Sequence, residues 1–221
     1  MIENLKNMVW WKKTNHSLKN VLRIYVVTDR TKTGGKSLSQ VIKYAVKFGA
    51  TAVQLREKDL SARELFEIAK DLRKITSNNK VAFIINNHVD IALAVGADGI
   101  HLGKDSLPID VIKRIKTKNM FIGVSCHSLD EVIEANNNGV DYVILGPIFN
   151  PLAKKSDIKS LGIETIKKAK SRISIPIIAI GGITEENCNK VINAGADGVA
   201  GITSFMSGDN KIFKCLAKEN F

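Results

Sequence analysis

Gly49-Ala50-Thr51-Ala52-Val53, Gly96-Ala97-Asp98-Gly99-Ile100, Gly139-Val140-Asp141-Tyr142-Val143 and Gly195-Ala196-Asp197-Gly198-Val199 are four copies of one short phrase. Each copy closes a helix and opens a strand. Glycine takes the left-handed conformation that ends a helix, a small or acidic residue makes the turn, and the run behind it suits a sheet. The copies recur at intervals of roughly 50 residues, the length of two β/α units.

Between the copies the pattern continues. Strands are expected at Arg23-Thr28, Ala52-Leu55, Val81-Ile85, Gly99-Leu102, Phe121-Val124, Tyr142-Leu145, Ile177-Ile180 and Gly198-Ile202. Amphipathic helical patterns fall near Leu38-Phe48, Ala62-Thr76, Val89-Val95, Ile109-Ile115, Leu129-Asn137, Ile163-Ala169, Glu185-Ala194 and Lys211-Ala217. Short apolar strands alternating with helices imply a parallel sheet covered on both faces, and eight of them suit closure. The expected fold is α/β, a single (β/α)8 TIM barrel over residues 21–221 behind a short extension, 1–20. The extension carries Trp10 and Trp11, which would pack under the barrel or against a second copy in a homo-oligomer.

Composition narrows the function. With 44% hydrophobic and 25% charged residues, the chain is of the globular class. It has no uncharged apolar run long enough for a bilayer and no secretory leader at Met1-Ile2-Glu3-Asn4, so a cytoplasmic protein without a membrane partner is expected. The net charge of +11 is spread over helical stretches such as Ala62 to Lys74 and reads as solvated outer faces rather than a nucleic-acid surface. Cys126, Cys188 and Cys215 lack metal-ligand spacing and are expected as free thiols.

In such a barrel ligands bind beyond the carboxyl ends of the strands. There the chain places Gln54, Arg56 and Lys58, then Asn86-Asn87-His88, His101-Leu102-Gly103-Lys104-Asp105 and Ser125-Cys126-His127-Ser128. Alternation puts Gln54, Arg56 and Lys58 on one side, where two cations suit an anion unless they pair with Glu57 or Asp59. Gly181-Gly182 and Gly201-Ile202-Thr203 follow the last two strands, the recurrent location of a barrel phosphate site. His127 has a side chain suited to proton transfer near neutrality, or caps a helix; His101 suits packing or a hydrogen bond.

The wording of these segments resembles the thiamine phosphate synthase and TenI superfamily. The likeness runs through Tyr25-Val26-Val27-Thr28-Asp29, Gln54-Leu55-Arg56-Glu57-Lys58, Ala97-Asp98-Gly99-Ile100-His101-Leu102-Gly103, Gly123-Val124-Ser125-Cys126-His127-Ser128, Gly146-Pro147-Ile148-Phe149 and Ala179-Ile180-Gly181-Gly182-Ile183. For the synthase, which joins a pyrimidine pyrophosphate to a thiazole phosphate with magnesium, the resemblance implies that Gln54, Arg56, Lys58 and Asn86 bind pyrimidine and pyrophosphate. Ser125 and Lys154 would add pyrophosphate contacts, and Gly181, Gly182, Ile202 and Thr203 would hold the phosphate.

Three departures point elsewhere. The synthase pattern has aspartate at the positions of Asn87 and Ser106, and neutral oxygens serve magnesium poorly. Its Pro-Thr-x-Thr-Lys loop reads Asn150-Pro151-Leu152-Ala153-Lys154 here, without the two hydroxyls. The expectation from sequence is therefore a TenI-like thiazole tautomerase with no cofactor, in which His127 moves the proton of a small phosphorylated thiazole. The alternatives are a synthase using magnesium through Asp105, and a non-catalytic binder of thiazole or thiamine phosphate.

Overall fold

The computed structural model describes residues 17–150, 159–207 and 210–218. Trp10, Trp11 and Lys154 lie outside these residues. The strands are β1 Ile24–Val27, β2 Ala52–Leu55, β3 Ala82–Asn86, β4 Gly99–Leu102, β5 Phe121–Cys126, β6 Tyr142–Leu145, β7 Ile177–Ile180 and β8 Gly198–Gly201. They pair in chain order, all parallel, and β8 returns to β1 through Ile24 opposite Val199, which closes the barrel. The sequence-based expectation of a TIM barrel is met.

The helices are α1 Leu18–Val21, α2 Leu38–Lys47, α3 Ala62–Asn78, α4 Val89–Ala94, α5 Ile109–Ile115, α6 Leu129–Asn137, α7 Ile163–Lys170, α8 Cys188–Asn193, α9 Thr203–Met206 and α10 Lys211–Lys218. Their starts are chemically marked. Ser37 and Gln40 form a capping box on α2, Ser61 and Glu64 another on α3, and the Ser128 hydroxyl accepts the Glu131 N–H at the start of α6. No helix among the described residues is long and apolar enough to cross a membrane.

Alternation along each strand sorts side chains into two cores. Ile24, Val26, Val53, Leu55, Phe83 and Ile85 face the helices, whereas Tyr25, Val27, Ala52, Ala82, Ile84, Phe121 and Tyr142 fill the barrel. Val21 and Leu22 join the inner cluster from below, so α1 plugs the amino-terminal end. The interior aromatics need bare neighbours. A Cβ on Gly123 would stand 2.0 Å from Tyr142 Cζ, and one on Gly99 would stand 2.1 Å from Phe121 Cε2.

The repeated phrase has a structural task. Its third residue accepts a backbone N–H from the start of the preceding odd-numbered strand: Thr51 from Ile24, Asp98 from Phe83, Asp141 from Ile122 and Asp197 from Ile177. Asp98 and Asp197 are also ion-paired, to Arg73 at 2.6 Å and Lys170 at 2.6 Å. Burial disfavours the Asp197 carboxylate, but the hydrogen bonds from Lys170, Ile177 N–H and Lys19 overcome it and hold its pKa below the usual 3.8.

The cysteines depart from the expectation of three free thiols. Cys126 is free and buried, whereas Cys188 and Cys215 are joined, tying α8 to α10. Those helices pack side by side, a proximity that a separation of 27 positions did not show.

Two stability predictions follow from this interior. Gly123→Ala overpacks the barrel against Tyr142 and lowers unfolding free energy by about 1–3 kcal/mol in chemical denaturation. Because the Asp197 pKa is depressed on folding, its contribution is present above pH 3.8 and is lost as pH falls below it. Asp197→Asn therefore lowers Tm at neutral pH, and the gap to the unsubstituted protein narrows in acid; a gap that does not change with pH would refute the assignment.

Candidate functional site at the carboxyl ends of the strands

The inner-face alternation that fills the barrel delivers polar side chains at its mouth. Gln54 follows Ala52 on β2, Asn86 follows Ile84 on β3, His101 follows Gly99 on β4 and Ser125 follows Gly123 on β5. The Gln54 amide donates to Asn86 Oδ1 at 2.9 Å, fixing both side chains. The Arg56 N–H donates to the Thr28 hydroxyl at 2.9 Å, which pins the chain just past the end of β2. Gln54, Arg56, Asn86, His101, Ser125 and His127 line one cavity of about 200 Å³, with Ile144, Ile180 and Ile202 as its apolar wall. The site thus pairs apolar area for a ring with convergent polar groups for its edge.

Charge in the mouth is arranged for an anion. Glu57 and Asp59 are taken by Arg30: its backbone N–H and guanidinium reach Glu57, and its guanidinium grips Asp59 in a two-bond fork. Arg56 and Lys58 form no ion pair among the described residues. Lys58 does not share the cavity of Gln54 and Arg56. It lines an adjoining cavity with Glu57, Asn87 and Asp105, because β2 stops at Leu55 and the period-two alternation does not extend through the turn behind it. Asn86 borders both cavities.

His101 was expected to pack or hydrogen-bond, and it does so inside the site. Its Nε2 lies 2.8 Å from Ser125 Oγ and its Nδ1 3.1 Å from the Tyr142 hydroxyl. Burial first, and then the charge of Arg56, pushes its pKa down to about 3, so the ring is neutral. Burial, with Glu131 and Glu134 nearby, pushes the Cys126 thiol up to about 12, which removes it as a nucleophile near neutrality. His127 stands at the rim, its side chain 60% exposed, with Nδ1 3.3 Å from Glu131 Oε2. It does not cap α6, since Ser128 does.

Gly181 and Gly182 have φ of 98° and 62°, backbone that side chains rarely adopt. The pair also lets the loop after β6 pass close by: a Cβ on Gly181 would lie 2.6 Å from Pro147 Cα, and one on Gly182 2.8 Å from the Phe149 carbonyl oxygen. The N–H groups of Gly182, Ile202 and Thr203 donate to no described residue. These donors sit at the ends of β7 and β8, where a phosphate is expected.

The corner where the synthase pattern has two aspartates is closed on itself. Ser106 Oγ donates to Asn87 Oδ1 at 2.6 Å, and the Gly103 N–H reaches Asn87 Oδ1 at 3.0 Å and Ser106 Oγ at 2.8 Å. Asn87 is one of the non-glycine residues at positive φ, 61°, a conformation that asparagine and aspartate both tolerate. Asp105 borders this corner, and Glu57 is held by Arg30. Among the described residues no group of three His, Cys, Asp or Glu side chains could hold a metal.

Sequence reasoning missed the tyrosines below this site. Tyr142 and Tyr25 lie on the inner face of β6 and β1, their hydroxyls 2.8 Å apart, and continue the His101 chain downward. The available signal was alternation, which places Tyr142 and Ile144 on the same inner face.

Comparison with known proteins supplies the family. Residues 24–205 match the family described as thiamine monophosphate synthase. The thiamine-phosphate synthase of Clostridium acetobutylicum is 42% identical over 86% of this chain and 90% of its own length. That of Pyrococcus furiosus is 40% identical over 88% of this chain and 91% of its own. The structure of thiamine phosphate pyrophosphorylase from Pyrococcus furiosus superimposes with a TM-score of 0.83 at 38% identity, covering 91% of this chain and 96% of that one. These relatives overturn the expectation of a thiazole tautomerase: at about 40% identity they are named thiamine-phosphate synthase and thiamine phosphate pyrophosphorylase. The chain belongs to the thiamine monophosphate synthase family.

Proposed function

We propose that this chain is a thiamine phosphate synthase, joining a pyrimidine pyrophosphate to a thiazole phosphate and releasing pyrophosphate. The observation that carries the reading is the convergence of Gln54, Arg56, Asn86 and Ser125 on one cavity in a chain about 40% identical to proteins of that name. An aqueous compartment holding these small phosphorylated substrates, the cytoplasm, is part of the same reading.

In the reaction the bond from the pyrimidine's exocyclic carbon to oxygen breaks, and pyrophosphate leaves with the electron pair. The thiazole nitrogen forms the new bond to that carbon. Gln54 and Asn86, locked to each other, present amide groups to the pyrimidine edge. Arg56 and Lys58, with Glu57 and Asp59 occupied by Arg30, meet the charge that gathers on the leaving group. Ser125 adds a contact to it; Lys154, outside the described residues, is a further contact that the family resemblance implies. The N–H groups of Gly182, Ile202 and Thr203 hold the thiazole's phosphate beside Gly181 and so aim the nitrogen. His127, at the rim, borders the entrance.

Magnesium is implied for this reaction by the family resemblance, and the corner that would hold it does not suit a dedicated site. The Asn87 oxygen is occupied by two donors, Ser106 is neutral, and Asp105 is the one carboxylate there not bound by an arginine. The cationic side chains therefore meet the charge of the pyrophosphate.

The test is to incubate the protein with both substrates, with and without magnesium, and follow thiamine phosphate and pyrophosphate. Product is expected, with kcat/KM reduced about 10²–10³-fold in Arg56→Ala. No product under either condition, in a preparation that binds thiazole phosphate, would reject the reading. A second measurement addresses the metal alone. Calorimetry with magnesium chloride is expected to show binding at least about tenfold tighter in Asn87→Asp/Ser106→Asp than in the unsubstituted chain, because two carboxylates replace a closed neutral pair.

A further inference from the structure

A line of buried polar atoms runs down the barrel axis from the ligand cavity. Ser125 Oγ is 2.8 Å from His101 Nε2, His101 Nδ1 is 3.1 Å from the Tyr142 hydroxyl, and that hydroxyl is 2.8 Å from the Tyr25 hydroxyl. Tyr25 and Tyr142 are fully buried and His101 is 2% exposed. His101 and Ser125 both border the cavity, but the two ring nitrogens of His101 are spent on Ser125 and Tyr142, so Ser125 is the hydrogen-bonding group of the line left to meet a ligand.

Such a line can be ordered in two directions. If Ser125 donates to Nε2, then Nδ1–H donates to Tyr142 and Tyr142 donates to Tyr25. The last proton, on Tyr25, then has nowhere to go: Tyr142 is the hydrogen-bond partner of that hydroxyl among the described residues, and Val27, Ala52 and Phe121 share its apolar cluster. An unsatisfied buried donor is costly. In the opposite direction every proton finds an acceptor. Tyr25 donates to Tyr142, Tyr142 donates to Nδ1, and Nε2–H donates to Ser125 Oγ.

We propose that Tyr25 and Tyr142 act through His101 as positioning residues that fix the Ser125 hydroxyl as a donor directed into the cavity. Ser125 then spends a lone pair on His101 and keeps its own proton for the ligand, so it selects an anionic or lone-pair-bearing atom. The relay needs a neutral imidazole and neutral phenols. Burial together with the charge of Arg56 holds His101 neutral, and burial raises both tyrosine pKa values. The Phe121 ring packs edge-on against Tyr142, and the bare Gly123 leaves the space through which the Tyr142 hydroxyl reaches the histidine. This deepens the synthase reading, since it rests on pyrophosphate being the anion that Ser125 meets.

The direct test does not depend on that reading. In protein labelled with nitrogen-15 at histidine, His101 is assigned by its loss in His101→Gln. The expected signature is protonated Nε2 with bare Nδ1, unchanged between pH 5 and 8. An Nδ1–H tautomer or an imidazolium in that range would overturn the relay. The second arm measures inorganic pyrophosphate affinity in Ser125→Ala, Tyr142→Phe and the double variant. Each single change is expected to weaken binding, Ser125→Ala by about tenfold, and the double to be no weaker than Ser125→Ala alone. Additive losses would reject coupling through His101. Failure of the unsubstituted protein to bind pyrophosphate would count against the synthase reading, and the tautomer would still decide the relay.

Discussion

Four backbone N–H groups near the starts of the odd-numbered strands are the points on which the barrel is hung. Each is met by a side chain from the turn before the following even strand: Thr51, Asp98, Asp141 and Asp197. A parallel strand cannot supply these partners from its own hairpin, because its neighbour arrives only after a helix. Left unpaired in a buried setting, each donor would cost about 1–3 kcal/mol. The bond therefore fixes where each pair of β/α units begins, and with it the register that decides which side chains face inward. Gln54, Asn86, His101 and Ser125 reach the mouth only because that register places them on the inner face.

This is why so much of the fold was legible. The phrase that repeats in the sequence is the one that makes the bond, and strands at Ala52–Leu55, Gly99–Leu102, Tyr142–Leu145 and Ile177–Ile180 fall where periodicity puts them. The misreadings have local causes. The helix expected from Glu185 starts at Cys188, because Thr184 and Asn187 spend their side chains on a turn: Thr184 Oγ1 accepts the Glu186 N–H, Asn187 Oδ1 accepts the Thr184 N–H, and Asn187 Nδ2 donates to the Gly182 carbonyl. Lys58 falls away from Arg56 because alternation is a property of strands and ends with them. Nothing local to Arg30 announced that it would occupy Glu57 and Asp59, since a contact across 27 and 29 positions is made by the barrel and not by the segment.

The functional misreading has a different cause. Asn87, Ser106 and the 150–154 loop depart from the synthase pattern, and such departures in sequence do not show which charges the rest of the site retains. The positively charged side remains intact, with Arg56 and Lys58 unpaired among the described residues, and the amide pair of Gln54 and Asn86 is preassembled. On the proposed synthase reading, a site that keeps these cations and amides keeps the groups on which departure of an anion depends. On that reading, neutral residues in the adjoining corner alter how the charge is shared without removing the means of holding it.

The interior shows how a packing constraint becomes a chemical one. Tyr142 is too large for a neighbour with a side chain, so β5 carries Gly123 beside it. The ring that fills this space brings a hydroxyl into an apolar core, where it must find partners, and the partners within reach are Tyr25 below and His101 above. His101 in turn has one nitrogen left, and Ser125 stands against it at the cavity wall. Filling the barrel, satisfying the polar atoms brought in by the filling, and orienting a hydroxyl toward the ligand are thus consequences of one arrangement. The orientation of the site is set from beneath it, by the buried Tyr25 and Tyr142.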